Sequence, residues 1–139
     1  DIDQAEEIAY LDDRIRFLIK TFTPGPLTII APKKPIIGRI VAGGTQTVGL
    51  RFPSNNIARR LIKASGVPVA ATSANISTMP SPTNGEKVRE YMDGKIDAII
   101  DGGETDIGIE STIIAFTGSD MTFLRVGALS EEEIRNALK

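Results

Sequence analysis

The chain has 139 residues, 41% of them apolar and 24% charged, with a net charge of −2. A chain of that size and balance suggests one globular domain, able to bury roughly 68% of the surface its unfolded form exposes. It contains no Cys and no His, which excludes a disulfide framework, a thiolate or imidazole metal site, and Ser-His or Cys-His catalysis. Chemistry here must use carboxylates, Lys, Arg, hydroxyls, amides, backbone groups or an oxygen-bound ion such as magnesium. The charge exerts no overall pull toward nucleic acid, although a local basic patch stays possible. No run is long enough to span a membrane and no secretory leader is visible; the lack of Cys fits the cytoplasmic location that is expected.

The opening segment is expected to be one helix. Asp3 and Glu6 form a loose capping pair, and Ile8, Leu11, Ile15, Leu18 and Phe22 recur at helical spacing. Thr23-Pro-Gly-Pro26 stops it, because proline cannot continue a helix. Leu27 to Ala31 is a short apolar strand, and Lys33-Lys-Pro35 a turn. Ile36 to Val41 fits a short helix or a strand equally well. From Thr47 to Phe52, Val48, Leu50 and Phe52 share one strand face, leaving Thr47, Gly49 and Arg51 on the other.

Pro53-Ser-Asn-Asn56 caps a helix through Ala64, which Gly66 terminates. Val67 to Thr72 reads as a buried strand whose end delivers Ser73 and Asn75 into a proline-punctuated loop. Thr83 and Glu86 form a capping box for a helix to about Met92. Ile96 to Asp101 and Gly108 to Phe116 read as strands, and Thr117-Gly-Ser-Asp120 as a tight turn into a strand from Met121 to Val126. Ser130 and Glu133 cap a closing helix through Leu138. Interleaved helices and strands, richer in strand toward the C-terminus, indicate an α/β or α+β domain with a mixed sheet.

Several residues could carry chemistry. Arg51 lies in an apolar strand; it is either an edge arginine facing solvent or a guanidinium clamp for a carboxylate or phosphate, with Thr47 on the same face. Arg125 repeats the pattern in Phe123-Leu-Arg-Val-Gly127. Glu110 is out of place in a strand and should face a wet pocket or a basic partner. Asp101, at the end of a strand before two glycines, either closes an Asx turn or has a role in the site. Ser73, Asn75 and Ser81 could donate to phosphate oxygens or simply satisfy their own loop. Neither a P-loop nor a Gly-x-Gly-x-x-Gly element is present. Lys33, Lys34, Arg59, Arg60 and Lys63 read as solvated faces or a modest basic patch.

Taken in order, Thr23-Pro-Gly-Pro-Leu-Thr28, Thr47-Val-Gly-Leu-Arg-Phe-Pro53, Ala71-Thr-Ser-Ala-Asn75, Pro80-Ser-Pro-Thr83, Ile96-Asp-Ala-Ile-Ile-Asp-Gly-Gly103, Gly108-Ile-Glu-Ser-Thr-Ile113 and Leu124-Arg-Val-Gly127 closely resemble the YrdC-like family, the threonylcarbamoyl-AMP synthases. The resemblance implies a twisted mixed sheet flanked by helices in an open fold. It also implies a reaction: L-threonine, bicarbonate and ATP give threonylcarbamoyl-AMP and pyrophosphate, feeding threonylcarbamoyladenosine formation in tRNA. Carried over by motif position, Arg51, Ala71 and Ser111 would bind threonine. Thr47, Ser73, Asn75, Ser81 and Arg125 would contact the nucleotide. No side chain is singled out as catalytic; positioning and electrostatics would do the work. Magnesium is expected with ATP rather than in a site held by the protein. Implied partners are the tRNA threonylcarbamoyl-transfer machinery and tRNA or double-stranded RNA.

Family members carry, ahead of the opening helix, a segment with a Lys-x-Arg element that binds the ATP phosphates. The 139 residues are therefore expected to be a partial YrdC-like domain, weak or inactive alone. Two other readings remain: the carbamoyl-adenylate-forming module of an O-carbamoyltransferase or of hydrogenase maturation, and a non-catalytic RNA-binding module. The second is poorly served by an aromatic content of 5%.

Overall fold

A computed structural model describes residues 1–105 and 108–139. The chain divides into two compact units, Asp1–Val69 with Ile109–Lys139, and Ala70–Gly108. The first is built on a mixed four-stranded sheet in the order β2-β1-β3-β4. Its strands are β1 (Leu27–Pro32), β2 (Thr47–Arg51), β3 (Thr112–Thr117) and β4 (Asp120–Arg125). β1 runs antiparallel to β2 and parallel to β3, and β3 and β4 form an antiparallel hairpin. Alternation in β1 sends Leu27, Ile29 and Ala31 into the core. There they join Leu50, Ile114 and the apolar faces of three helices, α1 (Ile2–Ile8), α2 (Asp13–Phe22) and α5 (Glu131–Ala137).

The expected single opening helix is two helices. Asp1 caps α1 in a capping box with Gln4, and Asp12 caps α2 by accepting from the Ile15 amide at 2.8 Å. Between them Ala9 is extended and bridges Lys33, while the Tyr10 amide donates to the Pro32 carbonyl at 2.8 Å. The apolar stripe was read correctly, but a continuous period does not reveal an interruption. Asp12 competes for backbone N–H groups and starts a new helix there. Segment 36–41 is neither helix nor strand but a series of turns, closed by hydrogen bonds such as those from the Ala42 amide to the Gly38 carbonyl and from the Gly44 amide to the Arg39 carbonyl.

Helix α3 (Asn56–Ser65) is capped by Asn55 and ends at Gly66, whose φ of 69° is the left-handed conformation glycine permits. Val67 to Thr72 is not a strand, and Val67 and Val69 are 56% and 50% exposed. An extended apolar run becomes a strand only when a neighbour takes its backbone groups. Pro68 has no N–H to offer, and neither edge of the sheet, β2 or β4, pairs with this run.

The second unit holds α4 (Gly85–Met92). Its cap is Asn84, accepting from the Lys87 amide at 2.9 Å, rather than Thr83. Ile96 to Asp101 is not a strand either, and Ile100 is exposed. Asp101 instead closes the Asx turn expected of it, accepting from the Gly103 amide at 2.9 Å. The strand expected from Gly108 starts only at Thr112, and Asp106 and Ile107 lie outside the described residues. The closing helix has the expected capping box, with Ser130 and Glu133 exchanging bonds.

Candidate functional site

The sheet face opposite the helices carries a row of polar side chains. In register, Thr28 lies beside Arg51 on β2 and beside Ile113 on β3, and Ile113 lies opposite Arg125 on β4. Simple alternation would place Arg125 with Met121 and Phe123, which pack against the core. A register shift at Ile113/Ile114 prevents this. The bulge re-aims Arg125 onto the face of Thr28, as bulges beside binding sites commonly do.

Arg125 is then held on three sides. Its Nε donates to the Ser111 carbonyl at 3.0 Å, one terminal nitrogen to Ser111 Oγ at 3.2 Å, and the other to Glu110 at 2.5 Å. Glu110 is thus opposite the basic partner that its sequence context required. Ser111 is buried, and its Oγ lies 2.8 Å from Thr28 Oγ1. Arg51 is anchored by Nε donating to the Gly25 carbonyl at 3.2 Å, and its terminal nitrogens meet no hydrogen-bond acceptor among the described residues. Partial burial, and then the charge of Arg125, push the Arg51 guanidinium below its ordinary pKa. It stays charged at any physiological pH. Two like charges converge over one polar patch, and an anion placed between them would relieve the repulsion.

Thr112 locks this arrangement. Fully buried, its Oγ1 donates to the Leu129 carbonyl at 2.6 Å and accepts from the Gly127 and Leu129 amides at 2.9 and 3.1 Å. Thr112→Val strands all of these backbone groups, each at a cost of about 1–3 kcal/mol. We predict a stability loss of at least about 2 kcal/mol in urea denaturation, with Thr112→Ser nearly neutral. A Val variant within about 0.5 kcal/mol of the parent would contradict this role.

Of the residues singled out from sequence, Arg51, Ser111 and Arg125 come together here. Thr47 shares their face but sits at the far end of β2, opposite Pro32, with its hydroxyl 3.3 Å from that of Thr45. Ala71, Ser73, Asn75 and Ser81 belong to the second unit. There Asn75 donates from Nδ2 to the Ile76 and Met79 carbonyls at 3.2 and 2.8 Å, while its Oδ1 is buried without a partner among the described residues. Thr72 donates to the Ser73 carbonyl at 3.3 Å. Ser81 borders an open depression with Pro80, Thr83 and Tyr91. Lys33 and Lys34 are backbone clamps, donating to the Ile37 and Glu6 carbonyls. Sequence reasoning missed Thr28 as a site residue. Its signal was the same as that of Arg51: a polar side chain in an otherwise apolar strand.

A mixed sheet with helices on one face, and two arginines set among hydroxyl groups on the other, describes an α/β protein with a polar, cationic sheet face. A family model, Sua5/YciO/YrdC with the description telomere recombination, matches residues 1–127. The chain belongs to that family. It is 46% identical over 137 residues to a threonylcarbamoyl-AMP synthase of Pyrococcus abyssi, covering 98% of this chain and 40% of the relative. A Bacillus subtilis threonylcarbamoyl-AMP synthase is 42% identical over 136 residues, covering 96% and 39%. The crystal structure of P. abyssi Sua5 complexed with L-threonine superposes with a TM-score of 0.95 at 45% identity, covering 99% of this chain and 41% of that one. The chain thus spans about two-fifths of the length of these relatives. Among the described residues no helix is long and apolar enough to cross a membrane.

Proposed function

We propose that this chain forms part of a threonylcarbamoyl-AMP synthase acting in tRNA threonylcarbamoyladenosine formation in the cytoplasm. The carrying observation is the Arg51–Thr28–Ser111–Arg125 patch, in a chain 46% identical to a curated synthase. In this reading L-threonine, bicarbonate and ATP yield threonylcarbamoyl-AMP, pyrophosphate and water. The open fork of Arg51 takes the threonine carboxylate, and Ser111, held by Thr28 and Arg125, meets the amino acid beside it. Arg125 contributes positive charge toward the nucleotide, offset in part by Glu110. Thr47, Ser73, Asn75 and Ser81 are the proposed remaining nucleotide contacts, and Ala71 lends backbone to threonine. The work is positioning and charge stabilisation, with no covalent nucleophile. Magnesium is proposed only as the ion that ATP carries, and no step runs through it. The transfer machinery and tRNA are proposed partners.

The test is pyrophosphate release by the complete open reading frame containing this chain. Release should require L-threonine and bicarbonate together. Release driven by carbamoyl phosphate instead would favour the O-carbamoyltransferase reading. No nucleotide turnover, with RNA affinity falling steeply as salt rises, would favour an RNA-binding module.

A further inference from the structure

Ser111 Oγ has a defined hydrogen-bonding capacity: one O–H to give and two lone pairs to receive. One lone pair is taken by Arg125, whose terminal nitrogen can only donate, at 3.2 Å. Among the described residues the other partner is Thr28 Oγ1 at 2.8 Å, and between two hydroxyls either can be the donor. The direction decides what Ser111 offers a ligand. If Thr28 donates, both lone pairs of Ser111 are filled and its proton is free to be given to an anionic oxygen. If Ser111 donates, that proton is spent on Thr28, and Ser111 keeps a lone pair for a cationic donor. Thr28 is next to Arg51 across the β1–β2 ladder, on the same face as the guanidinium fork. Ser111 itself is buried, so its hydroxyl cannot be satisfied freely by bulk water.

From this geometry we infer that Thr28 is a positioning residue: its hydroxyl donates to Ser111 Oγ and so aims the Ser111 proton at the anionic group seated on Arg51. This rests on the threonine-binding reading of the site and assigns a role within it. Thr28 acts through Ser111 rather than by touching the ligand. The carboxylate then receives the Arg51 fork and a hydroxyl whose orientation is set before binding, which lowers the ordering cost of association.

The test uses the complete open reading frame containing this chain, with L-threonine affinity read by calorimetry and folding by thermal melting. Thr28→Val keeps the shape and removes the hydroxyl. It should weaken threonine about fivefold, the size of one lost hydrogen bond, while Tm stays near that of the parent. Thr28→Ser should restore most of the affinity, which a purely packing role for the threonine methyl would not allow. In a Ser111→Ala background, Thr28→Val should cost nothing further, since the group it orients is gone. Unchanged affinity in Thr28→Val, or an equal loss with and without Ser111, overturns the inference while leaving the functional reading standing. A parent protein that binds no threonine overturns the functional reading, and the role of Thr28 falls with it.

Discussion

Arg51→Ala is expected to weaken L-threonine binding by more than about tenfold, since a hydrogen bond to a charged group contributes roughly 1.5–3 kcal/mol. The geometry makes the effect one of binding rather than folding. Arg51 lies on the edge strand β2, and among the described residues the one hydrogen bond of its side chain runs from Nε to the Gly25 carbonyl. Its removal costs the fold one part-buried hydrogen bond, and it also relieves the burial of a charge and the repulsion with Arg125. Tm should therefore hold or rise slightly as affinity falls. Arg51→Lys tests the fork: one ammonium cannot reproduce two parallel N–H bonds, so most of the loss should persist. Calorimetric titration checks both variants, and an Arg51→Ala protein with parental affinity refutes the clamp.

Gly127→Ala is the second large effect, and it acts through the backbone. A Cβ at Gly127 would stand 2.1 Å from the Glu110 carbonyl oxygen and 2.7 Å from the Ser111 carbonyl carbon. Both neighbours are main-chain atoms, so no side-chain rotation relieves the clash. The Gly127 amide also donates to Thr112 Oγ1, and the Ala128 amide to the Glu110 carbonyl at 3.0 Å. Accommodating a methyl group pries β4 and its continuation away from Glu110 and Ser111. Overpacking of this kind costs about 1–3 kcal/mol, and the displaced residues are those that hold Arg125. The expected result is a lower denaturation midpoint together with weaker threonine binding. Gly38→Ala is the control: nothing lies within 4 Å of its added Cβ, and it should be close to neutral. Equal behaviour of the two variants would remove Gly127 from the argument.

Local rules carried some elements completely. The closing helix has its capping box because Ser130 and Glu133 lie at the spacing that satisfies two amides at once. β2 alternates as its sequence alternates, with Leu50 buried on the core face and Arg51 on the other. The turn between β3 and β4 falls at Gly118, where φ is positive. The failures share a cause. Val67 to Thr72 and Ile96 to Asp101 have strand composition but no partner in the sheet, and pairing is a property of two segments. The opening helix is broken between Ala9 and Asp12 because periodicity reports which face is apolar and not whether the axis is continuous.

At the candidate site the residue types were legible from the order of bases and hydroxyls along the chain. Arg51, Ser111 and Arg125 stood out because each is a polar group in an apolar run, and family motifs tied them to threonine and nucleotide. Their convergence was not legible. Alternation alone would have turned Arg125 toward the core, and only the register shift at Ile113/Ile114 brings it to the face of Thr28. The pairing of Thr28 with Ser111 joins residues 83 positions apart, which no local pattern can encode. The chain's sequence by itself determined its family, its lack of thiolate and imidazole chemistry, and the cationic and hydroxyl groups available to meet an anion. Tertiary structure alone decided which of them meet, because a β-bulge, a buried threonine latch and a glycine too crowded for a side chain act across strands far apart in the chain.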